Sequence, residues 1–455
     1  MNEQKKYKAV IGLEVHAQLL TKTKSYSCDS NIYGAKPNTK TSPVSLGHPG
    51  TLPMVNSKVI EFAVKLGISL GCKIRKRNEY ARKNYFYADL PKGYQITQDK
   101  TPICNGGQIN IKNKDGSIKK IRLTRIHMEE DAGKSIHDLD PFNTLIDLNR
   151  AGVPLVEIVS EPDINTADEA YQYITAIRKI LRYLEICDGN MEEGSFRCDA
   201  NVSLRKPGDE FGIRAEIKNI NSFKFVESAI NYEVERQQEI LESGGTVDQE
   251  TRLYDPKKNE TRPMRSKEEA NDYRYFPDPD LLPVEISEER IEHVRRTLPE
   301  LPDAKKERYI KKFDLKQDDA EILSSNSALS VFFEESIKDM KSQYQLVANF
   351  ILSELVGLCN KNNVDIDNIS IKPDHISKLI TYVDNGKISG KQAKDILNDL
   401  WSNSSDIDEI IQSKNIEQVS DIDILTKEAQ KILEKHPKEV QDYKNGKDKL
   451  MGFFV

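Results

Sequence analysis

The segment Met191–Arg205, MEEGSFRCDANVSLR, is the clearest guide to the fold. From Phe196 onward, apolar and polar residues alternate without a break, which is the period of a strand with one buried face. The apolar face carries Phe196, Cys198, Ala200, Val202 and Leu204. The polar face carries Arg197, Asp199, Asn201, Ser203 and Arg205. The segment therefore predicts a half-buried strand with charged side chains on its open face.

Three other segments predict strands of the same kind, within 11–19, 125–131 and 213–218. Their polar faces carry, in that order, Glu14, His16 and Gln18; His127, Glu129 and Asp131; and Arg214, Glu216 and Lys218. In the last segment, Ile213 is expected to be buried with Ala215 and Ile217. The polar face of an antiparallel sheet is usually only solvated. Four strands that place carboxylates beside His or Arg suggest instead a site for a divalent metal and phosphate.

Length and composition narrow the class of protein. A chain of 455 residues is too long for one core, so about three domains are expected. With 37% hydrophobic and 31% charged residues, no run long enough to span a membrane and no apolar N-terminal signal, we expect a cytoplasmic protein that contacts no membrane. The six cysteines form no Cys-x-x-Cys pair, which favours reduced thiols over disulfides or a complete zinc site. A net charge of −6 neither indicates nor excludes nucleic-acid binding.

The order of elements predicts an α+β fold built on a mainly antiparallel sheet. Helices are expected over 55–70, over 166–187 behind a capping box at Thr166 and Glu169, and over 225–242 before Gly244. Residues 250–280 are rich in charge and are expected to form a loop, either merely solvated or with arginines that bind phosphates. Helical periodicity dominates beyond 295, where Ile376, Leu379, Ile380 and Val383 form one face.

The segment Arg82–Gln95, RKNYFYADLPKGYQ, interleaves basic and aromatic residues. Such a pattern occurs where a protein binds phosphates and stacks bases. The alternative is that tyrosine and phenylalanine at alternate positions simply pack a strand. The residues of this segment favour neither interpretation.

The polar faces suit phosphoryl transfer chemistry. Hard divalent cations take carboxylate ligands and often share them with phosphates, a role that suits Glu14, Glu129, Asp199 and Glu216, with His16 as a nitrogen ligand. Arg197, Arg214 and Lys218 are placed to balance phosphate charge. The sequence has no Walker A loop, no kinase-type glycine loop and no Gly-x-Ser-x-Gly elbow, so any ATP site lies outside the familiar motifs.

Several motifs resemble those of one known family. They are Ile11–His16 (IGLEVH), Arg82–Tyr87 (RKNYFY), His127–Ser135 (HMEEDAGKS), Asp147–Arg150 (DLNR), Glu157–Asp163 (EIVSEPD), Met191–Arg205 and Asp272–Pro277 (DYRYFP). In this order they resemble the B subunit of the bacterial tRNA-dependent amidotransferase. The resemblance covers nearly the whole chain.

The resemblance implies a component of an aspartyl/glutamyl-tRNA(Asn/Gln) amidotransferase that works as a heterotrimer with an A and a C subunit. It implies a cradle-shaped catalytic domain over 1–294, an all-α domain over 295–402 and a small α-helical, YqeY-like tail domain over 403–455 that contacts tRNA. ATP would phosphorylate the side-chain carboxylate of Glu-tRNA(Gln) or Asp-tRNA(Asn). Ammonia, made from glutamine by the A subunit, would then displace the phosphate.

Site residues follow from the same motifs. The resemblance implies that Glu14, His16, Glu129 and Glu216 are catalytic and bind Mg²⁺, with Asp199 as a further ligand. Arg197 is expected to be catalytic, and Lys83, Arg214 and Lys218 to contact ATP.

The chain departs from the family pattern in two places. Many members hold zinc with four cysteines in the loop after the first strand, where this sequence has Ser27, Asp29, Ser42 and Ser45. We therefore expect no structural zinc. The family usually continues with a basic helix beyond Val455, so we expect a truncated tail and weakened tRNA binding.

Two other functions fit the residues less fully. A free-standing ATP-dependent ligase or kinase for a small acid would turn over without tRNA or partner subunits. A non-enzymatic RNA-binding scaffold would use the acidic face only as a solvated surface, and Glu129→Gln would then leave activity unchanged.

Overall fold

The strand predicted at Phe196 lies near the centre of a ten-stranded sheet in the computed structural model, which describes residues 6–266, 272–402, 406–413, 422–447 and 451–454. The chain divides into two units, Met1–Leu301 and Pro302–Val455. The described strands, all in the first unit, are Lys8–Gln18 (β1), Lys73–Ile74 (β2), Arg77–Asn78 (β3), Ala81–Asn84 (β4), Tyr94–Thr97 (β5), Cys104–Asn105 (β6), Gln108–Lys112 (β7), Ile118–Glu130 (β8), Lys134–Ile136 (β9), Leu145–Asp147 (β10), Pro154–Ser160 (β11), Phe196–Arg205 (β12), Ala215–Ile220 (β13), Glu250–Asp255 (β14), Glu260–Ser266 (β15), Phe276–Pro277 (β16) and Val284–Glu285 (β17).

The large sheet has the order β15-β14-β13-β12-β1-β11-β8-β6-β2, with β7 also paired to β8. Its neighbours are antiparallel except for the parallel pair β13 and β14. The other described strands form smaller sheets. One has the order β16-β4-β5, another pairs β9 with β10, and another pairs β17 with β3. The predicted α+β class with a mainly antiparallel sheet is confirmed.

The described helices of the first unit are Ser57–Ser69 (α1), Ala167–Tyr183 (α2), Phe223–Glu242 (α3) and Glu288–Thr297 (α4). The side chain of Thr166 accepts a hydrogen bond from the Glu169 amide, which is one half of the predicted capping box, whereas the Glu169 side chain accepts from the Asn165 amide. Tyr173, Ile174 and Ile177 of α2 are fully buried with the apolar faces of β1 and β12. Each such side chain contributes about 1.5–3 kcal/mol to folding through burial. Because α2 covers the apolar faces of the strands, their polar faces remain available for chemistry.

Two sequence expectations are wrong. Residues 250–266 form the hairpin β14–β15 instead of a loop, because the charges are paired internally: buried Arg252 donates hydrogen bonds to Glu250 and Thr261. Ile213 lies outside β13 and is half exposed, whereas Ala215 and Ile217 are buried as predicted. The strand begins at Ala215, so the alternation applies only from there.

The second unit is helical in its described residues. Its helices are Pro302–Phe313 (α5), Gln317–Ser325 (α6), Ser327–Ile337 (α7), Tyr344–Phe350 (α8), Val356–Asn362 (α9), Pro373–Asp384 (α10), Gly390–Ser402 (α11), Ile407–Ser413 (α12), Ile422–Lys435 (α13), Pro437–Lys444 (α14) and Met451–Phe454 (α15), with a π-helical turn at Ile351–Leu355 and a 3₁₀ turn at Ile366–Asn368. The predicted face of α10 is buried at Ile376, Leu379 and Ile380. The boundary expected at 402/403 adjoins residues 403–405, which lie outside the described residues. Within the described parts of the chain, no helix has the length and apolarity that a membrane crossing requires.

Candidate functional site

A row of polar side chains crosses four neighbouring strands on one face of the large sheet. His16 of β1 lies opposite Arg197 of β12 on one side and Glu157 of β11 on the other. Glu157 in turn lies opposite His127 of β8. The alternation of each strand sends these side chains to the same face, because residues paired across antiparallel strands point the same way. The register therefore assembles the site from segments that are far apart in the sequence.

Glu157 joins the two histidines of this row. Its Oε2 lies 3.2 Å from His16 Nε2 and 3.6 Å from His127 Nε2, and His127 Nε2 is also 3.6 Å from Glu129 Oε2. We call His16, His127, Glu129 and Glu157 the histidine–glutamate cluster. Burial alone would raise the pKa of Glu157, but the adjacent His127 and His16 outweigh it and hold that pKa well below its ordinary range. The two histidines therefore favour the charged carboxylate form of Glu157.

Glu129 is fixed from two sides. The Thr97 hydroxyl of β5 donates to Glu129 Oε2 at 2.8 Å, and Lys83 Nζ of β4 lies 3.6 Å from Oε1. Burial raises the pKa of Glu129, but the positive charge of Lys83 and the neighbouring His127 lower it overall. The small sheet that contains β4 and β5 thus supplies a cation and a hydroxyl to the cluster on the large sheet.

A second group of charges lies on the same face toward β13. Lys218 Nζ lies 2.8 Å from Asp199 Oδ2 and 2.9 Å from Glu216 Oε1, and Asn201 Nδ2 donates to Glu14 Oε1 at 3.0 Å. We call Glu14, Asp199, Glu216 and Lys218 the acid–lysine cluster. Burial, followed by repulsion from Glu157, Asp199 and Glu216, raises the pKa of Glu14. Glu14 is therefore the member of the acid–lysine cluster that also interacts with Glu157 of the histidine–glutamate cluster, in a region of excess negative charge.

Arg197 is held by Asp131. Its Nη2 lies 2.8 Å from Asp131 Oδ2, which also accepts a hydrogen bond from Gln18 Nε2 at 2.8 Å, with Arg150 Nε 3.9 Å away. Burial would raise the pKa of Asp131, but Arg197 and Arg150 lower it. About a third of the Arg197 side chain stays exposed, so the guanidinium can still meet a ligand.

The donor set fits a divalent cation. One ligand atom each from His127, Glu129 and Glu157 lies within 4.8 Å of the other two, and all three residues are buried. Carboxylates suit Mg²⁺, and an imidazole adds a nitrogen that transition metals also accept. His127 Nδ1 is buried without a hydrogen-bond partner among the described residues, so the ring is held only from its Nε2 side, where the carboxylates lie.

The structure brings most of the predicted site residues together. His16, Glu129 and Lys83 belong to or contact the histidine–glutamate cluster, and Glu14, Asp199, Glu216 and Lys218 form the acid–lysine cluster. Arg197 lies in register with His16. Arg214 precedes β13, is exposed, and makes no ion pair with either cluster in the described part of the chain. Its expected role in binding ATP stays a prediction.

Sequence reasoning named neither Glu157 nor His127 as a site residue, although both lie in this site. Glu157 is the only charged residue of the otherwise apolar strand Pro154–Ser160, a signal of a buried and partnered charge. His127 was expected on the same face as Glu129 but not as a ligand. The compact triad of His127, Glu129 and Glu157 shares only Glu129 with the predicted ligand set, so the identity of the metal ligands stays a prediction.

The four positions that replace a zinc-binding cysteine set also meet in space. The hydroxyls of Ser27 and Ser42 donate to Asp29 Oδ2 at 2.9 and 3.0 Å, and the Ser42 amide donates to Ser45 Oγ at 2.9 Å. Hydroxyls and one carboxylate form this set, whereas structural zinc sites use thiolates and imidazoles. The expected absence of zinc therefore stays a prediction that the donor chemistry supports.

Comparison with known proteins identifies similar chains. The GatB/GatE catalytic domain model matches residues 9–292, and the GatB domain model matches residues 331–455. The B subunit of the aspartyl/glutamyl-tRNA(Asn/Gln) amidotransferase from Alkalilimnicola ehrlichii is 51% identical over 450 residues, covering 99% of this chain and 94% of the relative. The B subunit of the same enzyme from Hydrogenovibrio crunogenus is 52% identical over 449 residues, with the same coverage of both chains.

Proposed function

The chain belongs to the family of aspartyl/glutamyl-tRNA(Asn/Gln) amidotransferase B subunits. We therefore propose that it converts Glu-tRNA(Gln) to Gln-tRNA(Gln) or Asp-tRNA(Asn) to Asn-tRNA(Asn). Proteins of this family act with ATP in tRNA amidation. The chain would work in a complex with an A subunit that makes ammonia from glutamine and a C subunit. The tail domain expected over 403–455 would contact the tRNA.

The proposed chemistry has two steps. A side-chain carboxylate oxygen of the aminoacyl group attacks the γ-phosphorus of ATP, the bond to ADP breaks, and an acyl phosphate forms. The nitrogen of ammonia then attacks the acyl carbon, the carbon–oxygen bond to phosphate breaks, and the departing phosphate takes up a proton. The first step is needed because an oxygen of a carboxylate leaves only after it carries the phosphoryl group.

Three basic side chains would position the phosphoryl group. Lys83, Arg197 and Lys218 are each anchored to a carboxylate and are each between about a fifth and a third exposed. Charges held in place before the reaction stabilise the developing charge of phosphoryl transfer without reorganisation. The fixed partners Glu129, Asp131 and Asp199 would thus aim the cations at the open face of the sheet.

The carboxylates would hold a divalent cation beside the phosphates. Glu129, Glu157 and His127, whose ligand atoms lie within 4.8 Å of one another, would form one ligand set, and Glu14 and Asp199, which lie opposite each other on β1 and β12, would share a second ion or its water shell. A bound Mg²⁺ would neutralise charge on the phosphates and polarise the bond that breaks. His16 would keep Glu157 oriented through their 3.2 Å contact.

The charge balance of this face is the observation that carries the proposal. Among the described residues, six carboxylates meet four basic side chains, which leaves a negative excess unless His16 and His127 are both protonated: Glu14, Glu129, Asp131, Glu157, Asp199 and Glu216 against Lys83, Arg150, Arg197 and Lys218. Such an excess beneath a solvated surface would destabilise the fold, because buried charges need partners. A divalent cation that binds here together with the nucleotide would neutralise the excess negative charge.

An assay with ammonium chloride tests the proposal directly. The assembled complex is given ATP, magnesium, ammonium chloride and either Glu-tRNA or Asp-tRNA, so the glutaminase reaction of the A subunit is not needed. ATP-dependent formation of Gln-tRNA or Asn-tRNA is expected, and the tRNA that reacts identifies the acceptor. A free-standing ligase would instead consume ATP with a small acid and without tRNA. If the chain were only a scaffold, Glu129→Gln would leave the activity of the complex unchanged.

A further inference from the structure

Four tyrosines form a continuous group of rings beside the site. The centroid distances are 5.7 Å between Tyr85 and Tyr87, 5.9 Å between Tyr85 and Tyr273, and 5.9 Å between Tyr273 and Tyr275, all with edge-to-face geometry. We call Tyr85, Tyr87, Tyr273 and Tyr275 the tyrosine cluster. Tyr87 is 54% exposed and Tyr275 is 42% exposed. The cluster therefore presents ring surface to solvent.

The backbone under the tyrosine cluster is fixed. The Asn84 amide donates to the Tyr273 carbonyl oxygen at 3.0 Å, and Asn84 Nδ2 donates to the carbonyl oxygens of Tyr273 and Arg274 at 3.0 and 2.9 Å. Arg82 donates to both Asp278 and Asp280 at 2.8 Å, which holds the following residues against β4. Hydrogen bonds thus fix the backbone that carries the rings, so the rings do not lie at the tip of a free loop.

Lys83 connects the tyrosine cluster to the acidic site. Its Nζ lies 5.2 Å from the centroid of the Tyr273 ring and 3.6 Å from Glu129 Oε1. The distance from Lys83 to the ring is within the range of a cation–π contact. The ring surface therefore begins one side chain away from the carboxylate proposed to hold the cation.

Rings that pack only a protein core are buried on both sides, whereas rings left exposed beside a basic side chain such as Lys83 are suited to stack a flat base. Resting on the proposed function, we propose that the tyrosine cluster stacks the adenine of a substrate. Both substrates carry one: ATP, and the 3′-terminal adenosine of tRNA to which the amino acid is esterified. The γ-phosphate of ATP and the amino acid on the tRNA are both joined to the adenine through a ribose. A base stacked at Tyr273 would therefore leave the reacting group free to extend toward Glu129.

Paired substitutions test the stacking. Tyr273→Leu and Tyr275→Leu remove a ring, whereas Tyr273→Phe and Tyr275→Phe keep it. In the ammonium-dependent assay of the assembled complex, each leucine variant is expected to raise the KM for one substrate on the order of 10- to 100-fold, with kcat little changed. The phenylalanine variants should behave as wild type. Phe142→Leu, at a ring 93% exposed, is the control for loss of an exposed aromatic.

The affected KM identifies the source of the base. A higher KM for ATP assigns the cluster to the nucleotide, and a higher KM for Glu-tRNA assigns it to the acceptor end. Leucine variants with both KM values unchanged overturn the proposal, as do leucine variants that fail to assemble with the partner subunits, because the rings would then be a protein interface. A wild-type complex without amidation activity would instead refute the proposed function, so the two failures are distinct.

Discussion

His16 and Glu157 lie opposite each other on adjacent antiparallel strands, with His16 Nε2 3.2 Å from Glu157 Oε2. The same oxygen lies 3.6 Å from His127 Nε2 on the next strand. A single buried carboxylate thus contacts two imidazoles and would complete the proposed ligand set with His127 and Glu129. This relationship makes Glu157 the residue on which the geometry of the proposed site most depends.

Glu157→Gln should therefore inactivate the complex without unfolding it. The amide keeps the size of the side chain but loses its charge, so the rate of ammonium-dependent amidation should fall by about 100-fold or more. Glu129→Gln should have a similar effect. The exposed Glu193→Gln is the matched control and should retain the wild-type rate. If Glu157→Gln and Glu129→Gln both keep full activity, the acidic face is only a solvated surface.

Glu233 should be important for stability instead of catalysis. It is fully buried on α3, accepts hydrogen bonds from Arg236 at 2.7 and 3.0 Å, and lies 3.4 Å from Arg252 on β14. Glu233→Ala removes a buried carboxylate from both guanidinium groups and leaves them Glu250 as the remaining carboxylate among the described residues, which should lower the free energy of unfolding by about 3–5 kcal/mol. Calorimetry of the complex should show a lower Tm, whereas the exposed Glu242→Ala should leave the Tm unchanged.

The local elements followed from the sequence, but their pairing did not. Alternation from Phe196 predicted β12, and Thr166 with Glu169 predicted the start of α2, because both signals lie within a few residues. The site depends on contacts such as that between Asn201 and Glu14, 187 residues apart, and no local period specifies this register. The sequence did not predict β14, because its charged residues, which pair with α3, suggested a loop. It did not predict the role of Glu157, because the neighbouring residues are apolar.

Lys24 should make stability depend on pH. Its side chain is fully buried, Nζ has no hydrogen-bond partner among the described residues, and Asp29 Oδ2 is 4.0 Å away. Burial lowers the pKa of Lys24 from its ordinary 10.5 to about 8. Between these values the unfolded chain binds one more proton than the folded chain, so stability rises with pH, by about 1.4 kcal/mol per pH unit at most.

Lys24→Met removes this titration. Relative to wild type, the variant should gain most stability below pH 8, and the gain should shrink as the pH rises toward 10. Chemical denaturation at several pH values measures the difference, with the exposed Lys22→Met as control. A difference between Lys24→Met and wild type that stays constant over this range would show that the buried amine does not titrate there.

The loop at Asp29 should hold no zinc. Ser27 and Ser42 donate hydrogen bonds to Asp29, and none of the residues Ser27, Asp29, Ser42 and Ser45 offers a thiolate. Elemental analysis should find no zinc that depends on this loop, so Asp29→Ala should leave the metal content unchanged. Because the four positions already meet, replacing all four with cysteine should introduce about one zinc per chain. Zinc lost on Asp29→Ala would refute the expectation.

The most direct test of the central claim follows an oxygen atom. Glu-tRNA labelled with ¹⁸O in its side-chain carboxylate is incubated with the complex, ATP, magnesium and ammonium chloride. If the carboxylate attacks the γ-phosphorus and ammonia later displaces the phosphate, one ¹⁸O atom must appear in the inorganic phosphate for each Gln-tRNA formed. Mass spectrometry of the phosphate measures this transfer. Gln-tRNA formed with unlabelled phosphate would contradict activation of the carboxylate at this site.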